Sequence, residues 1–147
     1  MMLQQVLGNV SDSDYAAMTL DPIYLTSEQM AKGHQKIRSE SGTEINLSLP
    51  KGVALEDGDV LACEGSVMIA VQAIEEDLIN ISSGSKCDWA AAAYTLGNLH
   101  KPVRFSADAI RTPYTAESVA ALEKAGIDYK RTTERMLGRR IRAVGAK

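Results

Sequence analysis

Alternating apolar and polar residues in the first half of the chain predict β-strands. The stretch EINLSLP alternates strictly, with Ile45, Leu47 and Leu49 on one side and polar residues on the other. This pattern is typical of a half-buried antiparallel strand. A further strand is predicted over residues 20–25, and Pro22 places it at a sheet edge because proline lacks the backbone N–H that an inner strand needs.

Turn and cap signals separate these strands. Glycines predict tight turns at SerGly 41–42, at AspGly 57–58 and at Gly65. Thr26 and Gln29 have the spacing of a capping box, which predicts one helical turn before Gly33. Residues 1–19 are polar and weakly patterned. We therefore predict a small all-β domain over residues 1–72.

The second half alternates strand-like and helix-like segments. In chain order these are a strand in AIEEDLINISS, a helix in KCDWAAAAYTLGNLH, a strand around PVRFSADAI, a helix in TAESVAALEKAG and a strand in IDYKRTT. The second helix has Thr115 as N-cap and Gly126 at its end. Its apolar stripe is predicted to consist of Val119, Leu122 and Ala125.

This order is the pattern of a ferredoxin-like βαββαβ domain. The predicted fold class is therefore α+β with two domains, the all-β domain being followed by a ferredoxin-like domain over residues 73–135. A basic C-terminal tail follows over residues 136–147. Residues 128–147 carry seven basic and two acidic side chains, which suits a solvated tail or a contact with an acidic protein or a nucleic acid.

Composition narrows the class of function. The chain has 147 residues, of which 45% are hydrophobic and 24% charged, as in an ordinary globular protein. A net charge of -3 and an aromatic content of 5% argue against nucleic acid or anionic lipid as the partner. The chain has no run of 18 apolar residues, and its N-terminus has no signal-peptide pattern. We therefore expect a cytoplasmic protein that contacts no membrane.

The chain contains two cysteines and two histidines. Cys63 and Cys87 have no CxxC spacing, and both are expected to be reduced. Cys63 follows a predicted strand and is interpreted as a small core residue. Cys87 opens a helix and is interpreted as an inert thiol, although a role in metal binding stays open. His34 lies in a polar segment and is expected to be an exposed surface residue.

His100 allows two interpretations. It follows an apolar stripe at helical spacing and shares a face with Trp89, Ala93 and Leu96. The helix macrodipole favours a histidine in a last helical turn, so His100 could be only a helix-end residue. Alternatively, an imidazole at the rim of an apolar surface is a common setting for a metal ligand. A two-fold dimer would supply two such imidazoles from one sequence position.

The segment YTLGNLHKPV, residues 94–103, resembles the signature of the UreE family of urease accessory proteins. In these nickel metallochaperones a tyrosine and a GlyAsn pair precede a metal-binding histidine. The order of the flanking segments over residues 20–130 is similar to the family's two-domain arrangement. The resemblance implies a homodimer in which the two copies of His100 bind one Ni(II) at the interface of the ferredoxin-like, metal-binding domains.

The resemblance also implies partners. The N-terminal β domain is similar to peptide-binding modules of chaperones and would dock on the urease accessory GTPase and the urease apoprotein assembly complex. Relatives commonly have histidines where this chain has Thr95, Ala116 and Ser118, an arginine where it has Leu99, and a histidine-rich tail. One ion per dimer is therefore expected, with Zn(II) or Cu(II) able to compete for nitrogen ligands in vitro.

The leading hypothesis is a non-catalytic chaperone that carries Ni(II) and donates it for assembly of the urease active site. The alternative is a non-metal adaptor that binds peptides through its N-terminal β domain. RNA binding ranks third because the predicted strands lack the aromatic pair that such recognition uses. No catalytic motif is present, so the chain is not expected to be an enzyme.

Overall fold

The chain divides into two compact units in the part that the structure describes. The computed structural model describes residues 1–140, and these separate into a first unit, Met1–Ile74, and a second unit that begins at Glu75. The fold is α+β, as predicted, with three α-helices, one short 3-10 helix and mostly β-sheet within these residues. Among residues 1–140, no helix has the length and apolar character needed to span a bilayer.

The first unit contains two sheets, one short α-helix and a 3-10 helix at Ser13–Tyr15. Its strands are β1 (Met2–Leu3), β2 (Gly8–Asn9), β3 (Thr19–Leu25), β4 (His34–Arg38), β5 (Glu44–Ser48), β6 (Asp59–Glu64) and β7 (Val67–Ala73). One sheet has the order β1-β5-β4 and the other β2-β6-β7-β3. Strand β3 is at a sheet edge, as Pro22 predicts. It pairs in parallel with β7, and β1 pairs in parallel with β5.

The predicted local signals are confirmed in this unit. Helix α1 (Ser27–Met30) has the capping box, because the Thr26 side chain accepts a hydrogen bond from the Gln29 backbone and the Gln29 side chain accepts one from the Thr26 backbone. The alternation in β5 places Ile45, Leu47 and Leu49 in the core, where each is at most 3% exposed. The burial of alternate residues in this segment therefore follows from its hydrophobic pattern.

Two features of the first unit differ from the sequence-based expectation. The weakly patterned N-terminus contributes β1 and β2, which are too short to show a period. Cys63 is exposed, so the interpretation as a core residue is wrong. Cys63 is exposed because it lies near the end of β6, two residues before the turn at Gly65. A register shift between Val60 and Ala62 precedes it.

The second unit consists of one sheet and two helices. Its elements are β8 (Glu75–Ile81), α2 (Lys86–Gly97), β9 (Arg104–Phe105), β10 (Ile110–Pro113), α3 (Ala116–Lys124), β11 (Lys130–Arg135) and β12 (Arg139–Arg140). The sheet order is β11-β8-β10-β9-β12, and each neighbouring pair is antiparallel. The segment PVRFSADAI, predicted as one strand, contributes to two strands that form a hairpin.

Both helices of the second unit pack on the sheet through buried side chains. The core consists of Ile79, Ile81, Ala92, Leu96, Val103, Ile110, Leu122 and Ile127. Helix α3 begins as predicted, with the Thr115 side chain accepting a hydrogen bond from the Ser118 backbone. Ala125 is exposed and caps the helix, so its predicted place in the apolar stripe is wrong; the buried residues of α3 are Ser118 and Leu122.

The sheet continues into the segment that the sequence assigned to the basic tail. Met136 is 1% exposed, and Arg139–Arg140 pairs with β9. The first residues of the predicted 136–147 tail are thus ordered against the second unit. Residues 141–147 lie outside the part of the chain that the structure describes.

Candidate metal centre

Helix α2 leads to His100 but does not contain it. Its N-terminus is capped by Ser85, whose hydroxyl accepts a hydrogen bond from the Asp88 N–H. The helix ends at Gly97, so the prediction that His100 shares its apolar stripe is wrong. Glycine and the following Asn98 favour helix termination because of their backbone freedom and side-chain competition.

The chain leaves α2 through a tightened turn. The Leu99 N–H donates to the Leu96 carbonyl at 3.1 Å, and the His100 N–H donates to the Gly97 carbonyl at 3.3 Å. Both bonds span three residues, the spacing of a 3-10 turn. His100 itself has φ of 56°, the one positive φ of a non-glycine residue within the described part of the chain. Histidine tolerates this left-handed region better than most residues, but the conformation is still strained.

The loop that carries His100 is fixed on both sides. Leu99 packs partly buried against the core of the second unit, and Val103 is 4% exposed. Between them, the Pro102 carbonyl accepts a hydrogen bond of 2.8 Å from the hydroxyl of the buried Thr112. The His100 side chain is exposed. The structure therefore presents an accessible imidazole on a loop that is anchored by its neighbours.

An exposed face over the last two turns of α2, without charged residues, precedes this loop. We call it the Tyr94 face; its exposed residues are Ala90, Ala91, Tyr94 and Gly97. Tyr94 is 73% exposed, and a side chain added at Gly97 would meet nothing within 4 Å. The apolar stripe predicted for this helix does not include the Tyr94 face. The run AAAA could have indicated the second face, because four consecutive alanines place small residues on both sides of a helix.

His100 supplies one nitrogen donor in each chain. Within residues 1–140, no group of three or more His, Cys, Asp or Glu side chains is close enough to hold a metal ion. His34 is exposed at the start of β4, as expected, and its Nδ1 lies 3.1 Å from the Ser48 hydroxyl. Cys87 is exposed in the first turn of α2. Both cysteines are free, as predicted; His34 and Cys63 belong to the first unit, and Cys87 and His100 belong to the second.

Two acidic side chains, Asp59 and Asp77, accept hydrogen bonds from other residues. In the predicted turn around residues 57–58, Asp59 accepts a hydrogen bond from the Glu56 N–H at 2.7 Å. On β8, the Asp77 carboxylate accepts two hydrogen bonds from the Arg131 guanidinium, at 2.9 and 2.7 Å, and these lower the pKa of Asp77. Arg131 also lies over the ring of Tyr114, 4.0 Å from its centroid.

Known proteins resemble the chain over both units. A family model described as the UreE urease accessory protein, N-terminal domain, matches residues 3–74. The urease accessory protein UreE of Corynebacterium efficiens is 32% identical over 133 residues, which cover 89% of both chains. The chain belongs to the UreE urease accessory protein family. The UreE protein of Bacillus cereus is also 32% identical over 89% of both chains, and that of Staphylococcus carnosus is 27% identical over 99% of this chain and 97% of its own.

The two kinds of match have different extents. The family model stops at residue 74, where the first unit ends. The UreE relatives extend into the second unit, because an alignment over 89% of 147 residues cannot fit within the first 74. The relatives are named as urease accessory proteins and not as urease itself. The chain is accordingly an accessory protein and not an enzyme.

Proposed function

We propose that this UreE family member is a nickel-binding metallochaperone that carries Ni(II) and donates it for assembly of the urease active site. The observation that carries the proposal is the placement of His100, an exposed imidazole on an anchored loop beside an uncharged helix face. The names of its relatives support a role in urease maturation. The action is that of a carrier, with Ni(II) as cargo.

The proposed site is completed by a second copy of the chain. The Tyr94 face offers an uncharged surface on which two copies can pack, and a two-fold axis beside it would bring the two His100 loops together. Each protomer would then contribute one imidazole to one shared ion. Ni(II) accepts nitrogen donors, and a small number of protein ligands leaves positions free for water or for the acceptor. Such a site suits a carrier that must release its cargo.

The two units have separate roles in this proposal. The second unit has the element order β8-α2-β9-β10-α3-β11 and sheet order β11-β8-β10-β9, which supports a ferredoxin-like metal-binding domain. The first unit is proposed to dock on other proteins of urease assembly, including the accessory GTPase and the urease apoprotein. The chain would perform this work in the cytoplasm.

A nickel titration by calorimetry tests the proposal on the untagged full chain and on His100→Ala, with mass measured by light scattering. His34→Ala is the matched control, because it removes the other exposed histidine. We expect about one Ni(II) per two chains, lost in His100→Ala and kept in His34→Ala while the dimer persists in both. Titrations with Zn(II) and Cu(II) measure selectivity, which nitrogen ligands alone do not provide.

Other outcomes of these titrations would contradict the proposed function. Nickel binding that survives in His100→Ala, or that is lost only in His34→Ala, would exclude the proposed site. A monomeric mass at all nickel concentrations would exclude a shared ion. The absence of binding in all three proteins would leave the adaptor hypothesis, in which the chain contacts other proteins without carrying metal.

A further inference from the structure

Strand β4 is at the edge of its three-stranded sheet, which has the order β1-β5-β4. Its hydrogen-bond register with β5 is given by the flanking bonds from Leu49 N–H to the Gly33 carbonyl, 2.8 Å, and from Ser39 N–H to the Thr43 carbonyl, 2.9 Å. Bonded pairs alternate along an antiparallel ladder. The backbone groups of the residues between, Gln35 and Ile37, therefore face β5.

The other residues of β4 direct their N–H and C=O groups outward, and these are His34, Lys36 and Arg38. Strand β5 confirms this register on its far side, because the Asn46 N–H donates to the Met1 carbonyl at 2.7 Å and so faces β1. Asn46 lies opposite Lys36. Within residues 1–140, no strand pairs with the outer side of β4. This side, which we call the β4 edge, is a template for one more strand.

The charge distribution of the first unit is uneven. Residues 1–74 contain ten acidic and four basic side chains. Two of the four basic residues, Lys36 and Arg38, lie on β4; Lys32 lies two residues before β4, and Lys51 lies three residues after β5. At physiological salt, charges interact over about 8 Å, so a ligand on the β4 edge would respond mainly to the charges on and beside this strand and less to the net charge of the unit.

The side chains of His34, Lys36 and Arg38 are exposed and lie on one face, because alternate residues of a strand share a face. Arg38 forms an ion pair with Glu44 on β5. Lys36 lies opposite the neutral Asn46 and has no ion-pair partner among the described residues. Like charges disfavour pairing of this edge with a second copy of itself, whereas a strand with acidic residues at alternate positions would be complementary.

We propose that the β4 edge binds an extended acidic segment of a partner protein, which adds to the sheet as a fourth strand. Backbone hydrogen bonds to His34, Lys36 and Arg38 hold the segment, and acidic side chains at every second position lie beside the Lys36 and Arg38 side chains. This proposal rests on the proposed docking role of the first unit and names its surface and the chemistry of its partner. It does not depend on metal.

The test uses a fluorescein-labelled peptide, GEVEVEG, titrated by anisotropy with the metal-free full-length chain. GKVKVKG is the charge control, and GEVEVEG with N-methylated glutamates is the backbone control. The protein variants are Lys36→Gln, Lys36→Glu and Lys36→Pro. Lys130→Glu is the matched control, because Lys130 is an exposed lysine on the edge strand β11 of the second unit.

We expect the acidic peptide to bind and both control peptides to bind at least tenfold more weakly. Lys36→Gln should weaken binding about threefold and Lys36→Glu about tenfold, from the usual size of cross-strand charge pairs. Lys36→Pro removes an outward N–H that β5 does not use, so it should abolish binding while circular dichroism shows a folded chain. Lys130→Glu should bind like the wild type.

Amide hydrogen exchange locates the bound strand. The outward amides of His34, Lys36 and Arg38 should become protected when the peptide binds, whereas those of Gln35 and Ile37, which face β5, should be protected in the free chain as well. Equal binding of GEVEVEG and GKVKVKG, undiminished binding of the N-methylated peptide, or equal losses in Lys36→Glu and Lys130→Glu would each overturn the proposal. Parallel titrations with His100→Ala separate this result from the outcome at the proposed nickel site.

Discussion

The positive φ of His100 predicts that two substitutions at this position differ in their effect on stability but not in their effect on metal binding. We compare His100→Gly with His100→Ala, both of which remove the imidazole. An L-residue in the left-handed region is destabilised by about 1–2 kcal/mol, whereas glycine adopts it without steric cost. Glycine also has more conformational freedom in the unfolded chain, which reduces this stability advantage by about 0.4–1 kcal/mol. With φ at 56°, we therefore expect His100→Gly to be more stable than His100→Ala by about 1 kcal/mol.

The single tryptophan supplies the assay. Trp89 is partly buried against the core of the second unit, and its ring N–H donates to the Ser83 carbonyl at 3.2 Å. Its fluorescence during urea unfolding therefore reports on the unit that contains residue 100. A difference of about 1 kcal/mol shifts the urea midpoint by about 0.5 M for an ordinary slope. Both variants should lose nickel binding equally if the proposed function holds.

Lys101 is the matched control position, because it adjoins His100 and has no positive φ. There the order should reverse, with Lys101→Ala more stable than Lys101→Gly. If His100→Gly were no more stable than His100→Ala, the left-handed conformation at residue 100 would be refuted. The same conclusion would follow if the alanine and glycine variants had the same order of stability at both positions.

Three further predictions concern the second unit. Leu96→Ala removes a fully buried core side chain and should lower the free energy of unfolding by about 2–5 kcal/mol. Tyr94→Ala, at a site 73% exposed, should change the same free energy by less than about 0.5 kcal/mol. Urea unfolding measures both changes. Thr115→Ala removes the N-cap of α3 and should lower the same free energy by about 1 kcal/mol. Because the Arg131 guanidinium lowers the pKa of Asp77, this carboxylate stabilises the fold above its ordinary pKa of about 3.9, and the stabilisation is lost as the pH falls through the lowered value. Arg131→Gln should therefore raise the pKa of Asp77, which a carboxylate titration by NMR would show, and an unchanged titration would contradict the assignment.

Most of the fold could be predicted where a local pattern and the tertiary structure agree. The strict alternation in EINLSLP, the capping pair Thr26 and Gln29, and the N-cap Thr115 each specify structure through residues close in sequence. The α+β class followed from the order of such segments. The two-residue strands β1 and β2 could not be found, because they exist only through pairing with β5 and β6.

Less of the candidate site than of the fold could be predicted from the sequence. The apolar stripe of α2 has helical spacing up to His100, but the helix ends at Gly97 because local backbone preferences outweigh a continuing pattern. His100 has its positive φ between Leu99 and Val103, which both pack in the core of the second unit, and the sequence shows neither the φ nor this packing. The exposure of Cys63 likewise depends on where a strand meets its turn.

The pairing of early strands with late ones in the first unit affects the order in which the protein can be built. Thr19 in β3 pairs with Val67 in β7, and Met2 in β1 pairs with Asn46 in β5. On the ribosome, the hairpin of β4 and β5 can form early because its contacts are local, but β3 has no partner until β7 has emerged. Strand β3 therefore stays without its strand partner while about fifty more residues are synthesised, and an unpaired strand makes the nascent chain prone to aggregation over that interval.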